Sequence, residues 1–267
     1  IEINQILSPI KKKNKEKIKQ DISNIIENSE SDIIIFAENN YPYLISDLKN
    51  FKITNKKNKE VVIGATRIED DKYYNSFLLL ENNSLKYFDK RILVPFGEFL
   101  PLRKYLEFLE TISGPNDFEI GQRERKITTK DNFNILPIIC YEIIFDKIFS
   151  NINEHNIDLL INITNDAWFG KKIGPYQHLY LTRIKSVIAN RPMIRVSNNG
   201  ISAIINKNGK ILKHIKLDKK NKINYKLKIE KSLNYIFIHN FFLIYLAFLL
   251  LIILLIARYE TKQKNNF

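Results

Sequence analysis

Residues 135–142 read Ile-Leu-Pro-Ile-Ile-Cys-Tyr-Glu. Five residues of apolar or ring side chains lead into the chain's single cysteine, Cys140, and polarity returns at Tyr141-Glu142. A run this short, bounded by turn-forming positions, predicts a strand buried on both faces rather than an amphipathic helix. The same pattern recurs on either side of it. Toward the C-terminus lie Leu159–Ile163, Met193–Val196 and Ile201–Ile205; toward the N-terminus lie Phe77–Leu80, Val61–Ala65 and Ile33–Phe36. Helical periodicity fills Lys15–Asn28, Asp146–Glu154 and Tyr176–Ala189, the last placing Leu179, Ile184, Val187 and Ile188 mostly on one side. Buried strands alternating with helices predict an α/β domain. Asn199-Gly200 and Asn208-Gly209 bracket Ile201–Ile205 as turns, and no internal repeat is present.

A chain of 267 residues supports one large globular domain plus an appendage. One cysteine allows no internal disulfide. His155, His178, His214 and His239 are scattered, with no Cys partner or paired spacing, so neither a structural zinc site nor a cofactor is expected. The formal charge of +13 suits nucleic acid or an anionic membrane. Lys, Ile and Asn are spread through the whole chain, however, and no basic and aromatic recognition module stands out, so no nucleic-acid partner is expected. Lys11–Lys19 and Lys216–Lys228 read as solvated faces or loops. Starting at Ile1, without Met or a signal-peptide pattern, the chain reads as beginning inside a longer protein.

A boundary falls near Lys231. Ser232 to Ala257 contains no Asp, Glu, Lys or Arg across 26 residues, and Phe241 to Ala257 is almost wholly apolar. At ~1.5 Å per residue, such a helix crosses the roughly 30 Å hydrocarbon layer with some tilt. The expected organisation is therefore a globular domain at 1–231, a transmembrane helix at 232–257 and a basic polar tail at 258–267. Lys226, Lys228 and Lys231 precede the span, and Arg258, Lys262 and Lys264 follow it, so flanking charge leaves its orientation open.

Cys140 stands where a strand gives way to a turn, a position that presents a side chain well. A thiol ionises near pH 8.5 unless a base or cation adjoins it; taken alone, Cys140 equally reads as a small buried hydrophobe. Glu38 follows the apolar run Ile33–Ala37, and Lys90 lies in Tyr87-Phe-Asp-Lys-Arg-Ile-Leu-Val-Pro-Phe-Gly-Glu98. Charged groups at strand ends can converge, although each segment in isolation also reads as solvated surface.

Six segments taken together resemble the carbon–nitrogen hydrolase (nitrilase-like) superfamily and, within it, the apolipoprotein N-acyltransferase family. They are Lys90-Arg-Ile-Leu-Val-Pro-Phe-Gly-Glu-Phe-Leu-Pro-Leu102, Ile139-Cys-Tyr-Glu142, Thr164-Asn-Asp-Ala-Trp-Phe-Gly170, Gly174-Pro-Tyr-Gln-His178, Arg191-Pro192 and Ser197-Asn-Asn-Gly200. The resemblance implies an αββα sandwich followed by one C-terminal transmembrane helix, and a Glu–Lys–Cys triad of Glu38, Lys90 and Cys140, spaced 52 and 50 residues apart. It implies supporting roles for Glu98 and Glu142 and an oxyanion-binding backbone N–H at Tyr141. Trp168 and Phe169 line the acyl or headgroup path or simply pack in the core. His178 reads as structural, and Asn198-Asn199-Gly200 as a tight turn near the site.

The implied activity moves a fatty acyl group from a phospholipid donor to the N-terminal α-amino group of a diacylglyceryl-modified lipoprotein, through a cysteine thioester. The implied setting is the periplasmic side of a bacterial inner membrane. The alternative is a membrane-tethered amidase or nitrilase-type hydrolase. Two departures from the family pattern stand out. The base lies in Phe36-Ala37-Glu38-Asn39 instead of the usual Trp-Pro-Glu-Ser/Thr, and the family's multi-helix membrane region ahead of the catalytic domain is not in this sequence, which reads as a fragment.

Overall fold

The computed structural model describes residues 1–7, 14–46, 53, 55, 59–81, 84–106, 116–229 and 237–264. The chain divides into two compact units, Ile1–Lys231 and Ser232–Phe267.

The first unit is built on two six-stranded sheets. One has the order β12-β1-β2-β3-β4-β5 and the other β11-β10-β9-β8-β7-β6. In the first sheet, β1 (Glu2–Gln5), β2 (Ile33–Phe36) and β3 (Glu60–Glu69) run parallel; β4 (Lys72–Glu81), β5 (Ser84–Asp89) and the edge strand β12 (Asn221–Asn224) complete it antiparallel. In the second sheet, β7 (Asn134–Ile139), β8 (Leu159–Asn165) and β9 (Met193–Asn198) are parallel. β6 (Ile127–Thr128), β10 (Ser202–Ile205) and β11 (Ile211–Ile215) add antiparallel edges.

Alternation along the strands makes the layers. Ile35, Val62, Phe77 and Leu79 of the first sheet pack in one core with Ile135, Ile139, Ile161, Ile163 and Val196 of the second. The intervening residues face outward. Ile34, Phe36, Val61 and Ile63 receive Ile22 and Ile26 of helix α1 (Lys15–Asn28). Leu136, Ile138, Leu160 and Met193 receive Leu179 and Ala189 of helix α3 (Gly174–Ala189). The result is the expected αββα sandwich. At about 25 cal/mol per Å², each fully buried Ile, Leu or Phe contributes about 1.5–3 kcal/mol before entropy is counted. Helix α2 is one turn, Arg103–Leu106.

Two expectations need correction. The helix expected at Asp146–Glu154 is a 3₁₀ turn, Asp146–Phe149, followed by turns through Asn156. Phe149 and Ile152 still reach the core, but Ser150, Asn151 and Asn153 compete for backbone hydrogen bonds and do not sustain a helix. The lysine-rich stretch 216–228 is not only a loop: Asn221–Asn224 pairs with β1 as a sheet edge, and its one lysine, Lys222, reaches the buried Glu2 carboxylate at 3.5 Å. Of the other lysine-rich stretch, Lys15–Lys19 begins α1 and residues 11–13 lie outside the described residues.

The second unit contains helix α4, Phe237–Lys264, whose side chains from Ile244 to Ile256 are all exposed. Of the expected span, residues 232–236 lie outside the described residues, as do the side chains at 237–243 and 257. Among the described residues, no helix is long and apolar enough to cross a membrane.

Candidate active site

Lys90 and Cys140 each follow the last residue of a strand, β5 and β7, and Glu38 lies two residues beyond the end of β2. Two of those strands belong to one sheet and one to the other, so the three meet at the mouth between the sheets. All three are buried. Lys90 Nζ lies 2.7 Å from Glu98 Oε2 and 4.0 Å from Glu38 Oε1. Glu38, Lys90, Thr164 and the Asn165 N–H all act on the ionisation of the buried Cys140 thiol. Cys140 has φ 50°, a left-handed conformation that costs a non-glycine residue about 1–3 kcal/mol. It turns the chain from β7 directly into a 3₁₀ helix, Cys140–Ile144, and leaves the Tyr141 N–H in that helix's first turn, where no intrahelical partner exists.

Burial dominates the electrostatics. It pushes the Cys140 thiol up to about 12, aided by the Glu38 charge and opposed by Lys90, Thr164 and Asn165. It also raises Glu38, which Lys90, Asn75 and Cys140 pull back down while Glu98 adds to the rise. Burial alone would lower Lys90, but Glu38, Cys140 and Glu98 hold its ammonium above the usual lysine range. The resting site is therefore a neutral thiol beside a carboxylate of enhanced basicity and a permanently charged lysine.

Glu142 clips the two sheets together behind the site. Its Oε1 accepts from the Arg91 and Ile92 N–H groups at 2.9 and 3.2 Å, just after Lys90. Its Oε2 accepts from the Ile139 N–H at 2.9 Å, just before Cys140. Arg125 donates to both oxygens at 2.6 and 2.7 Å. Burial would raise this carboxyl, but the Arg125 charge and these hydrogen bonds hold it below the ordinary range. Glu98 performs a similar service, taking the Lys90 ammonium, the Val94 N–H at 2.8 Å and the Asn75 amide at 2.7 Å.

Behind Cys140, Arg195 is fully buried and donates to Asp166 Oδ2 at 2.5 Å and Asn162 Oδ1 at 2.8 Å. Despite its burial, Asp166 is held well below the carboxylate range by Arg195 and His178. His178 Nδ1 sits 2.9 Å from Asp166 Oδ1; burial and then the Arg195 charge lower its proton affinity. Asn198 is more than a turn residue. It donates to the Glu38 carbonyl at 2.7 Å and accepts from Asn40 at 2.7 Å, tying β9 to the end of β2. Trp168 and Phe169 are 78% and 44% exposed, so neither is core packing.

Asn75, Arg125, Asn40 and the Asp166–Arg195 pair escape a reading of the sequence. A polar residue just ahead of an apolar run, as Asn75-Ser76 stand before Phe77–Leu80, is a weak signal; Arg125 sits among charged residues with no local mark. Among the described residues, no group of three His, Cys, Asp or Glu side chains could hold a metal.

The sandwich, with a buried cysteine, lysine and two glutamates at its mouth, defines a class. A carbon-nitrogen hydrolase family model matches residues 5–230, and the chain belongs to that family. Its fold is similar to that of a CN-hydrolase superfamily protein from Xanthomonas campestris, with a TM-score of 0.64, 16% identity and coverage of 84% of this chain and 88% of that one. At higher identity it is similar to proteins named apolipoprotein N-acyltransferase. The Rickettsia prowazekii protein is 39% identical over 218 residues, and the Rickettsia typhi protein 38% over 208. Those matches cover 76% and 73% of this chain but only 42% and 41% of the relatives, so the chain spans less than half of their length.

Proposed function

We propose that this chain transfers a fatty acyl group from a phospholipid to the N-terminal α-amino group of a diacylglyceryl-cysteine lipoprotein. What supports the proposal is a buried Glu38–Lys90 pair at 4.0 Å whose charges act on the buried Cys140 thiol, in a chain whose relatives bear that enzyme's name. In the first half, Glu38 takes the thiol proton as sulfur attacks the ester carbonyl. A thiol held near 12 is not ionised in advance, so proton removal and attack are coupled. The Lys90 ammonium and Tyr141 N–H receive the negative charge on oxygen; one such donor is typically worth about 10²–10³ in rate. Collapse breaks the ester C–O bond, and the leaving lysophospholipid takes the proton from Glu38. In the second half, the lipoprotein amine attacks the thioester, Glu38 accepts its proton, and the departing thiolate is reprotonated to restore the thiol.

The surroundings support a lipid-facing site. Phe96, Leu102 and Tyr105 on the segment after Lys90, and Trp168, Phe169, Ile173 and Tyr176 on the segment after β8, are exposed apolar or aromatic side chains. Apolar side chains exposed beside a site suit a lipid substrate. Residues 1–231 act as the catalytic domain, 232–257 as a membrane-spanning helix and 258–267 as a basic tail. The site works on the periplasmic side of a bacterial inner membrane, where two membrane-anchored substrates reach it at high effective concentration.

Incubating the chain with phospholipid vesicles and following intact mass tests the chemistry. An acyl adduct on Cys140, removed by hydroxylamine and passed to a diacylated lipopeptide amine, is expected. Faster loss of the adduct to water than to lipopeptide would favour hydrolysis instead.

A further inference from the structure

We propose that Asn75 is a positioning residue for the base: its one amide nitrogen donates a hydrogen to Glu38 and a hydrogen to Glu98, holding both side chains as acceptors around Lys90. Nδ2 lies 2.7 Å from Glu38 Oε1 and 2.7 Å from Glu98 Oε1. The residue is 8% exposed. Its backbone is engaged as well, because the Asn75 carbonyl accepts the Lys90 N–H at 2.8 Å. One residue thus touches the base, the supporting glutamate and the lysine, and it does so from β4 at the point where pairing with β5 begins, Ser76 opposite Asp89.

Two buried carboxylates beside a single ammonium are unstable as a pair of anions, and one of them is driven to take a proton unless donors favour the ionised state. Glu98 has three such donors: Lys90, the Val94 N–H and Asn75. Glu38 is more dependent. Lys90 stands 4.0 Å from it, and among the described residues Asn75 makes the shortest donor contact to its carboxylate. A protonated Glu38 cannot accept the thiol proton. A primary amide suits the place because it offers two N–H groups on one atom and carries no charge of its own. Leucine keeps the approximate volume and offers neither hydrogen; serine offers one.

This role presupposes Glu38 as the base of Cys140, as proposed above, so the test reads base function without any acyl donor. The full chain in detergent is treated with iodoacetamide, and the rate of Cys140 modification is followed by intact mass from pH 5 to 9. Sulfur forms a bond to carbon, iodide leaves, and Glu38 takes the thiol proton. For the native chain, the rate rises with pH as Glu38 ionises.

In Asn75→Leu the midpoint of that rise moves up by about one pH unit, which makes modification about tenfold slower below the midpoint and leaves the high-pH plateau within about threefold. Asn75→Ser, expected to fold even if the leucine variant does not, shifts the midpoint in the same direction by a smaller amount. A midpoint unmoved in a folded variant, or a uniform loss of rate at every pH, overturns the assignment. A native profile with no acid limb removes Glu38 as base and the role of Asn75 with it. Failure to form an acyl adduct from phospholipid, with the iodoacetamide profile behaving as expected, overturns the acyl-transfer proposal and supports Asn75.

Discussion

Replacing Glu142 by glutamine tests the clip that aligns the two sheets at the site. The carboxylate accepts five hydrogen bonds: three from backbone N–H groups and two from Arg125. Oε1 serves Arg91, Ile92 and one guanidinium nitrogen; Oε2 serves Ile139 and the other. Whichever oxygen becomes NH₂, it faces at least one backbone N–H and one guanidinium N–H, donor against donor. Glu142 has 0% exposure, so water does not relieve the clash. Breaking a buried ion pair from one side costs about 3–5 kcal/mol. At about 2–4 °C per kcal/mol for a domain of this size, Tm falls by about 6–20 °C.

Activity falls too, because the same carboxylate fixes the backbone next to Lys90 and next to Cys140; a shift of ~1 Å there costs about 10²-fold in rate. Melting of the detergent-solubilised chain by far-UV circular dichroism, with acyl-adduct formation measured alongside, gives both numbers. In a double-mutant cycle, Arg125→Met removes the opposing donors, so Glu142→Gln costs less in that background by about 0.5–3 kcal/mol. A single-variant loss below about 1 kcal/mol with unchanged adduct rate would refute the clip.

Other expectations are as direct. Gly64→Ala places a Cβ 2.5 Å from the Asn39 nitrogen and 2.6 Å from Glu38 Cα; overpacking of about 1–3 kcal/mol and a displaced base predict a lower Tm together with about 10²-fold slower acylation, and normal kinetics would contradict it. Cys140→Ala and Cys140→Ser abolish the acyl adduct and transfer while the melting curve stays within about 1 kcal/mol of native; residual transfer by the alanine variant would rule out covalent catalysis. Stability also falls in acid, in two stages. His178 is held below its ordinary value of 6.5 and must be neutral in the fold, so its contribution is present above pH 6.5 and is lost as pH drops toward the folded value. Glu142 and Asp166 are held below 4.5 and 3.8, so theirs is present above those values and is lost in stronger acid. A Tm flat from pH 7 to 4 would contradict the histidine stage, and His178→Asn should remove it.

The strands of the sandwich core were legible because burial leaves a local trace. Ile33–Phe36, Ile135–Ile139 and Leu159–Ile163 are almost wholly apolar where the chain is covered on both faces, and Cys140 and Glu38 each close such a run, whereas Lys90 follows the mixed strand Ser84–Asp89. The sequence motifs around Glu98 and Glu142 marked those residues as supporting without showing what they hold. Asp146–Glu154 misled because its apolar spacing is helical while its Ser and Asn side chains favour turns. Strands β1, β5, β6, β11 and β12 carry too few consecutive apolar residues to announce themselves.

By itself the amino-acid order determined the composition of the site, one thiol, one ammonium and their glutamates, and the apolar runs that carry them. Tertiary structure alone decided the partners: that Arg125 neutralises Glu142, that Asn198 grips the Glu38 carbonyl, and that a single amide at Asn75 bridges two carboxylates 23 and 37 residues away. The physical reason is that hydrophobic burial is read from neighbouring residues along the chain. A hydrogen bond between buried polar groups depends on positions a few tenths of an ångström apart across two sheets, and these exist only once the sheets have packed.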